Sequence, residues 1–119
     1  MDEKLTTQEE ELMLLIYKQG KGFIRDFIAE MEDPKPPYTT VASTAKNLQR
    51  KGYLKVLRHG NTYEYAPILE ESKFKTQRLS GIVRNYFEDS YKDLVSFFAE
   101  KKKISAEELK EIINLIENR

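Results

Sequence analysis

The sequence predicts a mainly α fold with one small β-hairpin: three helices, the hairpin, and then a further helical region. Three observations predict it. Apolar side chains recur at helical spacing before Gly52 and again after Glu70. Between those stretches lie two strand-like runs, Tyr53–Arg58 and Thr62–Ile68. They are joined by His59-Gly60-Asn61, where Gly and Asn tolerate the positive φ of a tight turn.

The first helix starts after Leu5-Thr6-Thr7-Gln8-Glu9. Thr6 caps it, and Glu9, three residues on, completes a capping box. Leu12, Met13, Leu15 and Ile16 form its apolar stripe, and Gly20 and Gly22 end it. A second short helix is expected from Phe23 to Met31, with Phe23, Phe27, Ile28 and Met31 inward. Pro34, Pro36 and Pro37 then forbid helix and enforce a connection. The third helix starts at Tyr38 or Thr39 and reaches Lys51, with Gly52 as a left-handed C-cap. Its apolar positions are only Val41, Ala45 and Leu48, and the rest of its surface is small or polar. In the second strand Tyr63 and Tyr65 share a face, and Pro67 closes it. Helix, helix, helix, hairpin is the order of a winged helix-turn-helix, with the hairpin as wing.

From Glu70 the pattern is helical to the end. Leu79, Ile82, Val83, Tyr86 and Phe87 make one stripe; Leu94, Val95, Phe97 and Phe98 make a second cluster; Leu109, Ile112, Ile113 and Ile116 make a third behind a Ser105/Glu108 capping box. Three amphipathic helices present more apolar surface than one small domain needs. Either they pack on the first domain or they form a dimerisation module, and the second reading is preferred because small monomers rarely expose large apolar patches. The expected division is a winged-helix DNA-binding domain over residues 1–69 and a helical dimerisation region over residues 70–119.

Charge points to an anionic partner. The chain has 20 Lys/Arg against 20 Asp/Glu, so its net charge is zero. From Pro34 to Tyr63, however, there is no acid, and Lys35, Lys46, Arg50, Lys51, Lys55 and Arg58 give the block a charge of +6. Residues 1–33 carry −5 and residues 64–119 carry −1. A basic block in an otherwise acidic chain suits a nucleic-acid surface; a chance run of solvated lysines is the other reading. On the first reading the third helix enters a DNA major groove. Thr39, Thr40, Ser43, Thr44, Lys46 and Asn47 are then the candidates for its contacts, with Lys35, Arg50, Lys51, Lys55 and Arg58 mainly on phosphates. His59, at the wing tip, is a further DNA-contact candidate, an ordinary exposed turn residue being the preferred reading of it.

Other chemistries lack residues. There is no Cys and a single His, so no thiolate metal site, disulfide or convincing His-based triad is available, and no cofactor is expected. No glycine-rich phosphate loop is present. The carboxylate pairs Glu70-Glu71 and Glu107-Glu108 fall at helix starts, where they meet the helix dipole. Lys101-Lys102-Lys103 likewise closes the helix that contains Leu94. An enzyme is not expected. The start Met1-Asp2-Glu3-Lys4 lacks the basic opening and apolar run of a signal peptide, and no stretch approaches the ~20 apolar residues of a membrane helix. A cytoplasmic protein without membrane insertion is expected.

Two stretches carry a family resemblance. Thr40-Val41-Ala42-Ser43-Thr44-Ala45-Lys46-Asn47-Leu48-Gln49-Arg50-Lys51-Gly52-Tyr53-Leu54, followed by Arg58-His59-Gly60-Asn61-Thr62-Tyr63-Glu64-Tyr65-Ala66-Pro67, resembles the penicillinase repressor family. The resemblance continues through Asp93-Leu94-Val95-Ser96-Phe97-Phe98-Ala99 into the Leu/Ile-rich last helix. It implies a homodimeric transcriptional repressor on a palindromic double-stranded DNA operator. It also implies dimerisation through the C-terminal helices, for which Leu79, Ile82, Val83, Tyr86, Phe87, Leu94, Phe97, Phe98, Leu109, Ile112, Ile113 and Ile116 are the candidates. In the antibiotic-responsive branch a membrane sensor protease triggers cleavage at an Asn-Phe bond. The matching bond here is Phe97-Phe98, which implies either no cleavage or a protease of different specificity. The related copper-responsive branch ends in a cysteine-rich site, which a Cys-free chain does not have. A basic or Thr residue common early in the family's recognition helix is Ala42 here, which implies a different operator. The alternative reading of the same fold is a protein-interaction module without DNA binding.

Overall fold

The computed structural model describes residues 4–117, with the side chains of residues 116 and 117 outside the description. The chain forms two compact units that divide between Lys73 and Phe74.

The first unit runs α1 (Thr7–Gln19), β1 (Gly22–Phe23), α2 (Ile24–Ala29), α3 (Tyr38–Arg50), β2 (Leu54–His59) and β3 (Thr62–Pro67). The Thr6 hydroxyl accepts from the Glu9 N–H at 3.1 Å, and the Glu9 carboxylate accepts from the Thr6 N–H at 2.9 Å, so the capping box closes. At the end of α3 the Tyr53 N–H donates to the Leu48 carbonyl and the Gly52 N–H to the Gln49 carbonyl. That is a Schellman ending, with Gly52 at φ 89° where a Cβ would be strained. Its customary apolar contact is supplied by Leu48 and Tyr53, both fully buried.

The hairpin pairs His59 with Thr62 across a two-residue loop. Gly60 takes a positive φ of 61° and Asn61 does not, which is the II′ arrangement with Gly at the first loop position. The sheet has three strands in the order β1-β3-β2, all antiparallel. Its third strand was not expected. Gly22 and Phe23 pair with Tyr65 and Glu64, and the Phe23 N–H is taken by the Asp26 carboxylate at 3.0 Å. Phe23 is therefore extended rather than helical, and α2 is shorter at both ends than the expected Phe23–Met31. Leu12, Met13 and Ile16 of α1, Ile24 and Phe27 of α2, and Val41, Ala45 and Leu48 of α3 meet in one core with Tyr53, Leu54, Tyr65 and Ala66. The role of this core is to hold α3 with its opposite face outward.

The second unit holds the rest of α4 (Glu71–Phe87), which begins in the first unit, with α5 (Tyr91–Glu100) and α6 (Ala106–Glu117). Glu88 and Asp89 at positive φ break the chain after α4, and Ser90 caps α5 by accepting from the Asp93 N–H. Ser105 and Glu108 exchange the two bonds of a capping box at the start of α6.

Candidate nucleic-acid interface

The sequence of α3 gives it two faces. Val41, Ala45 and Leu48 lie at i, i+4 and i+7 and are buried. Thr39, Ser43, Lys46, Asn47 and Arg50 project from the other side and are exposed. Thr40 and Thr44 lie between the faces. The Thr44 hydroxyl donates to the Thr40 carbonyl at 2.9 Å. Both residues line a cleft of about 550 Å³ with Leu12 and Leu15 of α1 and with Met31 and Pro36. Thr44 is half-buried there, so its hydroxyl is less available than those of Thr39 and Ser43.

The six basic residues of the acid-free block divide by environment. Lys46, Arg50, Lys55 and Arg58 are exposed. Arg58 is braced along the hairpin, its Nε donating to the Gly60 carbonyl at 2.9 Å. Lys35 is exposed too, but its ammonium donates to the Met31 carbonyl at 2.6 Å and the Ala29 carbonyl at 3.3 Å, closing the end of α2. Lys51 is turned inward. Its Nζ lies 2.7 Å from the Glu9 carboxylate and 2.9 Å from the Lys4 carbonyl, and its side chain is only 10% exposed. An ammonium so enclosed does not stand where a phosphate would meet it, and Lys51 leaves the set of phosphate candidates.

His59 is also occupied. Its Nε2 lies 3.2 Å from Glu64 Oε1, and its ring meets Phe23 edge-on with centroids 5.8 Å apart. Lys21 approaches the same carboxylate at 3.8 Å. Glu64 is thus an acid on the wing, half-buried and flanked by two basic groups. Two aromatic side chains of the acid-free block are exposed as well. Tyr38, the first residue of α3, is 56% exposed, and Tyr63 on the wing is 48% exposed. Their position inside the acid-free block was the available signal.

Burial by itself would raise the Glu9 carboxyl. The hydrogen bond and charge of Lys51, together with the hydrogen bonds from Thr6, overcome that and hold it below its ordinary 4.5. A depressed carboxyl contributes stability that is present above its unfolded pKa and lost as pH falls through the folded value. The stability difference between wild type and Glu9→Gln is therefore expected to shrink as pH drops below 4.5. Urea unfolding of both proteins from about pH 7 to about pH 3 checks this, and a constant difference across the range contradicts it.

Among the described residues no group of three or more His, Asp or Glu is placed to hold a metal ion, and no helix is long and apolar enough to cross a membrane. In the second unit Leu79, Ile82, Tyr86, Phe97, Phe98, Ile112 and Ile113 are each at least 39% exposed. Phe87, Leu94 and Leu109 are half-buried. Val83 is fully buried within the chain and so is closed to a partner, contrary to the expectation for it. The Ile116 side chain lies outside the described residues. Val95 and Leu115, at 41% and 71% exposed, are further exposed apolar side chains of this unit. Within it Phe97 packs edge-on against both Phe87 and Phe98.

The sequence model of a family described as penicillinase repressor matches residues 5–118. The methicillin resistance regulatory protein MecI of Staphylococcus aureus strain N315 is 23% identical over 120 residues, covering 98% of each chain. The penicillinase repressor of Bacillus licheniformis is 23% identical over 119 residues, covering 96% of this chain and 90% of that protein. Among solved structures, the chain is similar to BpsR of Bordetella bronchiseptica, from a study of how 6-hydroxynicotinic acid regulates its DNA binding. The identity is 17% and the TM-score 0.49, covering 98% of this chain and 76% of that one.

Proposed function

This chain belongs to the penicillinase repressor family, whose members are DNA-binding transcriptional repressors, and we propose that it acts as a cytoplasmic homodimer on a two-fold symmetric operator, occluding a promoter. It has no catalytic role in this reading. The observation that carries the proposal is the outward face of α3, exposed and free of acids, beside a hairpin that bears Lys55 and Arg58. Asn47 and Lys46 read base edges in the major groove, since amide and ammonium groups can discriminate among bases. Arg50, Lys55 and Arg58 hold phosphates and set the register. The apolar surface of the second unit supports pairing of two copies.

The bond Phe97-Phe98 lies inside α5. Cleavage there by a membrane sensor protease would require that turn to unwind, and it would part Phe97 from Phe98 and cut α6 from the rest of the chain.

Salt dependence tests the assignment. Arg50, Lys55 and Arg58 are three phosphate-facing cations per subunit. A dimer then neutralises about six phosphates, and log K is expected to fall with log[salt] at a slope near −5. A slope flatter than about −3 means that this surface is not the DNA footprint.

A further inference from the structure

One buried polar contact joins the start of α1 to the end of α3. Glu9 is 3% exposed and sits in the first turn of α1. A single oxygen of its carboxylate accepts from both the Thr6 N–H, at 2.9 Å, and the Lys51 ammonium, at 2.7 Å. Lys51 is the C-cap residue of α3, and its own N–H donates to the Asn47 carbonyl at 2.9 Å. Its ammonium also reaches the Lys4 carbonyl, so two points on the α1 entry hold the end of α3, and the Thr6 N–H holds one of them, the Glu9 carboxylate, in place.

α1 also meets α3 where the apolar side chains of Leu12, Met13, Val41 and Ala45 are buried. Apolar packing is non-directional and tolerates small rotations and slides. A buried ion pair is different, because its strength depends on excellent geometry and its members cannot be left unpaired. We infer that Lys51 and Glu9 are positioning residues for DNA recognition: the pair fixes the rotation and reach of α3, and with them the placement of Lys46 and Asn47 over base edges. Base-edge hydrogen bonds need donor–acceptor distances near 2.9 Å, so a small rotation of α3 forfeits discrimination while the phosphate contacts adjust.

The inference rests on the DNA-binding reading, and its test separates the two. The probes are a duplex enriched from a random-sequence pool by the wild-type protein and a scrambled copy of it. The variant is Glu9→Gln with Lys51→Met in the full chain, which removes both charges together and leaves neither partner alone. Its thermal unfolding is expected to stay close to wild type, while the ratio of selected to scrambled affinity falls about tenfold or more. Affinity for the scrambled duplex and the salt slope are expected to hold, because Lys51 touches no phosphate.

An unchanged ratio overturns the inference. Equal weakening on both duplexes with a shallower salt slope also overturns it, since that is the signature of a phosphate contact. If the double variant does not fold, Lys51→Arg takes its place, keeping a cation beside Glu9 while changing its reach: a lowered ratio supports the inference and an unchanged one overturns it. Failure of the wild-type protein to prefer any duplex counts against the DNA-binding reading instead.

Discussion

Lys51→Met alone is expected to destabilise the fold by about 3–5 kcal/mol, far more than loss of an exposed lysine. The reason is the group left behind. Glu9 would keep the Thr6 N–H but would hold an uncompensated carboxylate at a site 3% exposed. Lys35→Met provides the contrast. There the ammonium is exposed: its bonds to the Met31 and Ala29 carbonyls and its 3.9 Å pair with Asp33, whose side chain is 87% exposed, contribute about 1 kcal/mol. Urea unfolding of the two variants at neutral pH checks the ranking. Equal, small losses would mean that Lys51 swings out to solvent and that Glu9 has no need of it. Adding Glu9→Gln to Lys51→Met is expected to recover most of the stability, because a buried pair replaced as a whole is close to neutral.

The second large effect is expected at the apolar surface of the second unit. Ile112 is 46% exposed, so an aspartate there leaves the protomer folded. In a dimer interface the same carboxylate would be desolvated without a partner, and Ile112→Asp is expected to yield a monomer. Operator affinity then falls by about 10²- to 10⁴-fold, because the second half-site loses its linked partner. Sedimentation of wild type and variant, followed by titration on the selected duplex, checks both parts. A wild-type monomer at high micromolar concentration would remove the dimer from the account, and so would a variant that stays dimeric and keeps its affinity.

Local chemistry was legible in the sequence wherever the deciding residues lie close together. Thr6 with Glu9, Ser105 with Glu108, the left-handed Gly52 and the His59-Gly60-Asn61 turn each act within a few residues, and each forms as its spacing indicates. The misses have partners far along the chain. Gly22 and Phe23 become a strand because Tyr65 and Glu64, more than forty residues later, offer an edge. Lys51 looked like any other member of a basic block, and only the folded chain brings its ammonium to Glu9, 42 residues away. Val83 shares a stripe with Leu79 and Ile82, yet it is buried while they are exposed; spacing places residues on a helix face without saying what covers it. The candidate interface was legible as a face of α3 and a wing. Which of its cations reach outward was not, because that depends on contacts such as those of Lys35 and Lys51.

The central claim is that α3 reads sequence while the wing clamps phosphate. The most direct test titrates Asn47→Ala, Lys46→Ala and Arg58→Ala against the selected and scrambled duplexes at two salt concentrations. Asn47→Ala and Lys46→Ala are expected to weaken the selected duplex more than the scrambled one, by ~1–3 kcal/mol where a bidentate contact is lost. Arg58→Ala is expected to weaken both by similar factors and to make the salt slope shallower by about one per contact. If Arg58→Ala proved selective while the α3 variants lost both duplexes equally, reader and clamp would be reversed and the account of α3 would be wrong.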